Sequence, residues 1–285
     1  MANSPSPLRY PGGKTPILSM VTDILKANKL ERGHYVEPYA GGCGLALSLL
    51  FGGFVREIHI NDIDRSIWAF WNAVLNQTEE LVAKIEGTPV TIEEWERQKA
   101  IWRSENVDDF DLGFSAFYLN RTNRSGIIRK AGVIGGLSQS GKYKIDCRFN
   151  KEGLIQRIRR VKKYGSKIHL YNEDAVDFIK SSDSQLPPET LFCIDPPYYD
   201  KGSALYTNFY KPEDHAGLSQ VIIDIDHPWI LTYDNVEAIK KLYRRRRQYN
   251  FDLNYSAANK GKGTEILVAG KGVKIPTKLD LQKVA

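Results

Sequence analysis

Short strand-like segments alternate with helix-like segments along most of this 285-residue chain. Residues 57–61 alternate in polarity, residues 191–194 form an apolar run, and each is followed by apolar residues at helical spacing. Repeats of this kind predict a Rossmann-like, doubly wound α/β sheet. The last two strand-like segments, 249–253 and 266–269, predict a C-terminal antiparallel hairpin joined by a Gly/Lys-rich turn at 259–263.

The alternation stops between residues 78 and 165. Residues 91–105 follow a Thr-x-x-Glu capping box and predict a helix, as do residues 110–119. Residues 121–145 contain six lysines and arginines and no acidic residue, which predicts an exposed basic loop or hairpin. We therefore predict a catalytic sheet domain (1–77 and 166–270), a smaller helical insertion (78–165) and a loosely ordered tail (271–285).

Composition excludes several classes of protein. Hydrophobic residues make up 42% and charged residues 26%, values of a folded globular chain rather than a disordered or collagen-like one. No apolar run is long enough to span a membrane and the first residues lack a signal core, so we expect a cytoplasmic protein. The three cysteines lie far apart with no metal-ligand spacing, and we expect neither disulfides nor a metal. The net charge of +6 permits a polyanionic partner.

A glycine-rich turn, Gly41-Gly42-Cys43-Gly44, follows the strand-like residues 35–37. Asp62 comes 21 positions after Gly41, close to the offset at which a carboxylate binds ribose hydroxyls. Together they predict a site for a nucleoside-containing cofactor, with Asp64 rather than Asp62 capping the next helix. The alternative is a turn needed only for packing.

The segment Asp195-Pro196-Pro197-Tyr198 follows an apolar strand, where open α/β sheets place their active sites. The prolines fix the turn and remove two N–H donors that would compete for acceptors. The Asp195 carboxylate and the Pro196 carbonyl could accept both hydrogens of an exocyclic amine and direct its lone pair toward an electrophile. Tyr198 could stack on the same base.

These motifs resemble those of the DNA adenine-N6 methyltransferases of the Dam type, the D12 class, whose signature is Asp-Pro-Pro-Tyr. Residues 7–14 resemble the family's amino-terminal cofactor motif, residues 36–41 its glycine motif and residues 61–64 its ribose motif. The resemblance implies S-adenosyl-L-methionine as methyl donor, S-adenosyl-L-homocysteine as product, and Lys14 as the partner of the methionine carboxylate. The implied cofactor residues are Tyr10, Gly12, Lys14, Glu37, Pro38, Gly41, Asp62, Ile63, Asp174 and Asp195.

Residues 118–126 are similar to the Asn/Arg-rich segment with which that family approaches DNA. The candidate DNA-binding residues are Arg9, Asn120, Arg121, Asn123, Arg124, Arg129 and Lys142; each could read a base edge or contact phosphate alone. The arginine run 244–247 is better interpreted as a solvated helix end. The chain departs from the family where Cys43 replaces the second glycine of the aromatic-x-Gly-x-Gly pattern, which puts the backbone geometry there in doubt.

The function that the resemblance implies is site-specific transfer of a methyl group to N6 of an adenine flipped out of double-stranded DNA, without a covalent enzyme intermediate. One alternative is the same fold acting on cytosine N4, RNA or a protein amide. Another is a DNA-binding module without catalysis. We expect a monomer in solution, in the cytoplasm of a bacterial or phage-infected cell.

Overall fold

The computed structural model describes residues 4–10, 12–200, 210–254, 262–279 and 281–284. The chain divides into two compact units. The sheet unit comprises residues 1–4, 14–63 and 167–285, and the helical unit comprises residues 5–13 and 64–166. Among the described residues, none of the helices is both long and apolar enough to cross a membrane.

The sheet unit has eight strands within its described residues, in the order β3-β2-β1-β4-β5-β7-β6-β8. The first five in this order are parallel, and β7 pairs antiparallel with both β5 and β6. This confirms the doubly wound sheet and its C-terminal hairpin. The strands are β1 (His34–Glu37), β2 (Glu57–Asn61), β3 (Ile168–Tyr171), β4 (Thr190–Ile194), β5 (Trp229–Asp234), β6 (Arg247–Asn254), β7 (Lys262–Ala269) and β8 (Gln282–Lys283).

The order of strands reverses at β1, which pairs with β2 on one side and β4 on the other. The carboxyl ends of β1 and β4 are therefore neighbours at the point where open sheets bind ligands. The register aligns Val36 with Phe192, so Glu37 and the Asp195 turn leave the same edge of the sheet. The turn predicted at 259–263 lies partly outside the described residues, and 262–263 belong to β7.

The helices of the described residues, numbered in chain order, are α1 (Leu18–Ala27), α2 (Gly44–Phe51), α3 (Arg65–Asn76), α4 (Thr78–Gly87), α5 (Ile92–Arg103), α6 (Asp109–Thr122), α7 (Lys151–Lys163), α8 (Ala175–Gln185), α9 (Pro212–Ile223) and α10 (Glu237–Leu242). Helices α1, α2 and α8 to α10 belong to the sheet unit. A buried cluster that includes Phe192, Leu231, Phe178 and Ile222 joins the sheet to α8 and α9.

The tail, which the sequence predicts to be loosely ordered, makes defined contacts at two places among its described residues. Strand β8 pairs with β6 through Lys283 and Tyr249, and Val273 is buried. Two sequence signals were missed: the apolar side chain of Val273 can be buried, and β6 offers an open edge to a short strand.

The helical unit contains α3 to α7, and its described residues hold no strand, only one isolated bridge between Asn123 and Val133. The N-cap of α5 is confirmed, because the Thr91 side chain accepts a hydrogen bond from the Glu94 amide at 3.2 Å, the first half of the predicted capping box. The compact unit begins at Asp64 rather than at residue 78. The reason is that α3 turns its apolar face to α6, where Phe70 stacks on Phe117 at 5.3 Å. The functional boundaries at 77/78 and 165/166 stay predictions.

Candidate active site and basic surface

The turn after β4 is anchored by the last residue of β5. The two carboxylate oxygens of Asp234 accept hydrogen bonds from the amides of Tyr199 at 2.9 Å and Asp200 at 3.0 Å. Because Pro196 and Pro197 have fixed φ angles, the turn is held from both sides of Tyr198. Asp195 to Tyr198 therefore form a rigid loop at the carboxyl edge of the sheet.

Lys14 is the centre of a buried charge network in the sheet unit. Its side chain is 6% exposed, and its Nζ lies 2.9 Å from Oδ1 of Asp195. The same ammonium donates to the Tyr198 hydroxyl at 3.3 Å and to Oε1 of Glu265 at 3.4 Å. The Tyr198 hydroxyl in turn donates to Glu265, and the Thr232 hydroxyl donates to Asp195 at 2.7 Å. The structure thus brings Lys14, the last residue of the amino-terminal motif, to Asp195 and Tyr198 of the Asp-Pro-Pro-Tyr motif.

This network holds more carboxylates than cations. Burial raises the pKa of Asp195 to about 6, while Lys14 opposes that rise and Glu265 adds to it. Burial also raises the pKa of Glu37 to about 8, although the Tyr35 hydroxyl donates to that carboxylate at 3.0 Å. One lysine therefore faces two acidic side chains directly, with a third group at Glu37 kept protonated at neutral pH. Such a site favours a ligand that brings both a carboxylate for the lysine and a positive charge for the acids.

The glycine turn and Asp62 meet directly. The Gly41 amide donates to Oδ2 of Asp62 at 2.8 Å, and Gly41 has a positive φ of 46°. Cys43, where the family pattern places glycine, also has a left-handed φ, of 49°. The cysteine thus adopts the conformation that glycine favours, at a cost of about 1 kcal/mol. The Asp62 carboxylate thus helps to shape the turn through this hydrogen bond. Ile63, the next residue, is 49% exposed.

Asn61, which the sequence did not single out beyond its motif, ties the ends of three strands together. It is fully buried, and its amide donates to the carbonyls of Pro38 and Glu173, each at 3.1 Å. Its side-chain oxygen accepts from the Glu173 amide at 2.9 Å. Asp174, one of the implied cofactor residues, is exposed and caps α8 by accepting a hydrogen bond from the Val176 amide.

The sequence missed Thr232, Asp234 and Glu265, since each reaches the site from a strand far along the chain. Glu265 lies 251 positions after Lys14 and is 1% exposed. The sequence did contain a signal for Glu265, because it is a lone carboxylate at the start of the apolar run 266–269 of a strand inside the sheet.

Tyr10 and Gly12, predicted to bind the cofactor, belong to the helical unit. Asp64 caps α3 by accepting a hydrogen bond from the Ser66 amide at 2.9 Å, as predicted.

In the helical unit, the side chains of two predicted DNA-binding residues form hydrogen bonds with other groups of the same unit. Asn120 is fully buried: it accepts from the Arg9 amide at 2.7 Å and donates to the carbonyls of Arg9 and Gly126. Gly126 has a φ of 76°, and a Cβ there would lie 2.3 Å from the Arg9 carbonyl oxygen. Asn123 accepts from Trp95 Nε1 at 2.7 Å and donates to two loop carbonyls. Both asparagines therefore shape the loop in this structure, and their contacts with DNA stay predictions.

Four arginines of the helical unit are close enough to repel one another. Burial, then Arg9, Arg157 and Arg148, lower the pKa of Arg121. Arg121 donates to the carbonyl of Arg148 at 2.7 Å, Arg157 to that of Ser6 at 3.0 Å, and Arg9 to that of Asn123 at 3.3 Å. The ion pairs of this unit, as far as the structure describes it, involve other residues. The arginine cluster (Arg9, Arg121, Arg148 and Arg157) is thus a site of concentrated positive charge.

A second basic feature is an open groove of about 550 Å³ between α5 and the loop that follows α6. Lys99, Arg103 and Arg124 line it together with Trp95 and Leu137. Arg124, Arg129 and Lys142 are exposed, as expected for the predicted basic loop. The helical unit holds 19 lysines and arginines against 13 acidic residues, a net charge of +6, while the sheet unit holds 21 of each.

The chain is similar to several known proteins. A family model described as D12 class N6 adenine-specific DNA methyltransferase matches residues 10–257. The Type II methyltransferase M.MjaIII of Methanocaldococcus jannaschii is 24% identical over 240 residues, which cover 77% of this chain and 79% of that protein. Among solved structures, the rRNA methyltransferase aviRa of Streptomyces viridochromogenes overlays with a TM-score of 0.38 at 13% identity, covering 91% of this chain and 86% of that one. A SAM-dependent methyltransferase of Agrobacterium tumefaciens gives 0.37 at 11% identity, covering 90% and 62%.

Proposed function

The chain belongs to the D12 class N6 adenine-specific DNA methyltransferase family, and from this membership we propose how its own residues carry out the reaction. The activity of the family is transfer of a methyl group from S-adenosyl-L-methionine to adenine N6 in DNA. We propose that the substrate is double-stranded DNA and that the target adenine leaves the helix, because its amine is otherwise paired. The observation that carries the assignment of residues is the contact between Lys14 and Asp195 at 2.9 Å.

The donor set of the sheet unit fits the cofactor. Lys14 offers an ammonium for the methionine carboxylate, and Asp195 and Glu265 offer the negative charge that a sulfonium favours. Asp62 and the half-exposed Ile63 lie after β2, where ribose and adenine are recognised in this class of sheet. When bound, the cofactor supplies an electrophilic methyl group.

Lys14 and Asp195 must change partners for the reaction to proceed. Lys14 holds Oδ1 of Asp195, the carboxylate that we assign to the adenine amine. A methionine carboxylate would compete for Lys14 and reduce its hold on Asp195. We propose that cofactor binding in this way prepares the amine acceptor, so that cofactor and adenine bind most productively in that order.

Asp195 and Pro196 then act on the adenine amine together. The Asp195 carboxylate and the Pro196 carbonyl would each accept a hydrogen bond from one of the two N6 hydrogens. These two bonds direct the nitrogen lone pair toward the methyl group and require no covalent bond to the enzyme. As the N–C bond forms, N6 loses a proton, and Asp195, with its raised pKa of about 6, can accept it and release it to water. Tyr198 provides a ring for stacking, and Glu265 fixes that ring through its hydroxyl.

In the helical unit, we propose that the arginine cluster contacts DNA phosphates and that the groove beside α5 approaches the bases. Guanidinium groups without carboxylate partners match the phosphate geometry well. Arg124 and Lys142 are the exposed residues best placed to read bases or to contact phosphate. The two asparagines support this surface from within the loop.

The decisive experiment combines purified protein, methyl-labelled S-adenosylmethionine and mixed-sequence duplex DNA, followed by digestion and nucleoside analysis. We expect label in N6-methyladenine, loss of more than a thousandfold of the rate with Asp195→Ala, and full activity with Asp183→Asn, a carboxylate that pairs with His227 instead. Label in another nucleoside, or an active Asp195→Ala protein, would contradict the assignment. Single-stranded DNA of the same sequence tests the duplex requirement.

A further inference from the structure

Three of the five histidines of the chain lie together on neighbouring strands of the sheet unit. His34 is the first residue of β1 and His59 lies in β2. His169 lies in β3 and pairs in register with His59. The rings of His59 and His169 stack at 4.4 Å, and those of His34 and His59 at 5.2 Å. Glu57, the first residue of β2, pairs in register with His34. This histidine cluster (His34, Glu57, His59 and His169) lies toward the amino ends of the strands, at the opposite edge from the active site.

Two of these imidazoles are buried, at 7% and 4% exposure for His34 and His59, and their nitrogens face each other. Nδ1 of His34 is 2.9 Å from Nε2 of His59, while Arg56 donates to Nε2 of His34 at 2.9 Å. His59 Nδ1 lies 3.3 Å from the Tyr171 hydroxyl. This chain of hydrogen bonds closes only if both rings are neutral, because each ring must offer one lone pair as an acceptor. The cluster therefore holds neutral imidazoles, the form that binds metal ions.

We propose that the histidine cluster is a binding site for a divalent transition metal of the zinc type, with His34, Glu57 and His59 as ligands. One ligand atom from each of these residues lies within 4.8 Å of the other two. Two imidazoles and a carboxylate are a ligand set that zinc accepts, with ligand distances of about 2.0–2.2 Å. The sequence spacing gave no hint of it, because parallel strands, not a local motif, bring the residues together.

The surroundings allow the ligands to close on an ion. The ligand atoms must approach by about an ångström to reach zinc distances. Glu57 is partly exposed and can shift, while the Arg56 guanidinium, 59% exposed, can turn away into solvent. His34 then keeps the proton on its Nδ1 and presents its Nε2, which Arg56 has left, to the ion. His169 donates to Oε2 of Glu57 at 2.8 Å, the kind of second contact that fixes the orientation of a ligand carboxylate.

The proposal is independent of the methyl transfer and is tested on the whole protein without cofactor or DNA. After dialysis against a chelator, titration with zinc ions, followed by calorimetry and by competition with a coloured chelator, should show one site per chain and a raised Tm. We expect Glu57→Gln and His34→Gln each to weaken this site at least tenfold. Circular dichroism confirms folding of each variant, and the partly exposed Glu57 keeps the test valid if His34→Gln does not fold.

Two matched controls separate this cluster from other zinc-binding groups. His227→Gln changes a histidine that pairs with Asp183, and Cys147→Ser removes the exposed thiol. Neither should alter the affinity. Cobalt in place of zinc should give visible absorption bands that Glu57→Gln shifts. The absence of stoichiometric zinc binding by the native protein, or loss of binding with Cys147→Ser rather than with the cluster variants, would overturn the proposal.

Discussion

At the scale of single residues, the active site depends on how one buried lysine is shared between two carboxylates. Lys14 contacts both Asp195 and Glu265, and the negative charge of Glu265 adds to the rise in the pKa of Asp195 that burial causes. In the mechanism that we propose, Asp195 must be ionised to accept a hydrogen bond from the adenine amine. The pKa of Asp195 would then couple catalysis to pH; burial raises this pKa most, and Glu265 adds to the rise.

We expect kcat/KM of the native enzyme to fall as the pH drops through about 6, because Asp195 takes up a proton there. Glu265→Gln removes the neighbouring negative charge that raises the pKa of Asp195, so this acid limb should move to lower pH. The rate at neutral pH should fall roughly tenfold, since the Tyr198 hydroxyl loses a charged acceptor. The pH profile of methyl transfer to DNA measures both effects.

The matched variant for this comparison is Glu31→Gln, an exposed glutamate outside the network. It should leave the profile unchanged. An acid limb that stays in place in Glu265→Gln would show that Glu265 supports Tyr198 structurally but does not act on Asp195.

Glu37 gives a separate prediction about stability. In the unfolded chain it ionises near its ordinary value of 4.5, whereas burial holds its pKa at about 8 in the folded protein. The folded state thus binds more protons between these values, and its stability falls as the pH rises through this window. Glu37→Gln mimics the protonated side chain, so it should match the native protein at pH 4.5 and exceed it by roughly 3–5 kcal/mol at pH 8.

Thermal or denaturant unfolding of the cofactor-free protein at several pH values measures this difference. Glu31→Gln again serves as the control and should show no such trend. Equal pH dependence in the native protein and Glu37→Gln would mean that Glu37 ionises normally in the folded state.

At the scale of elements, the sequence predicted the secondary structure well and the contacts poorly. Strand β2 has the predicted bounds, because alternation in polarity is a local signal. The offset between Gly41 and Asp62 predicted that the two share a site, and the Gly41 amide does donate to Asp62, while the binding of ribose stays a prediction. The contacts of Glu265 and of the histidine cluster depend on the order of strands, which no local pattern contains.

The loop after α6 shows how one side chain can organise an element. Asn120 joins residues 9 and 126 through three hydrogen bonds. Asn120→Ala should cost roughly 2–3 kcal/mol of stability, because buried backbone groups lose their partners. We also expect weaker DNA binding without a change in which sequence is methylated, since the residue shapes the loop and does not read bases.

Denaturant unfolding and a competition of DNA sequences measure these two effects. Asn76→Ala, an exposed amide at the end of α3, should stay within about 0.5 kcal/mol of the native protein. A relaxed sequence preference in Asn120→Ala with unchanged stability would instead show that this asparagine reads a base edge, one of the two DNA contacts that the sequence left open.

At the scale of the whole molecule, the net charge is distributed unequally between the two units. The helical unit carries the entire net charge of +6, while the sheet unit, with its balanced charges, holds the buried acids of the active site. Each contact between a basic side chain and a phosphate releases counterions from the DNA. The logarithm of the binding constant should therefore fall linearly with the logarithm of the salt concentration, with a slope set by the phosphate contacts of the helical unit.

Arg124→Gln and Lys142→Gln should each reduce this slope by about 1 if the residue contacts a phosphate. Arg244→Gln, which removes an equally exposed charge from the sheet unit, should leave the slope unchanged. Fluorescence anisotropy over a range of salt concentrations measures the slopes with one duplex. Equal losses from all three variants would mean that DNA responds to net charge alone, whereas a loss confined to Arg244 would move the DNA surface to the sheet unit.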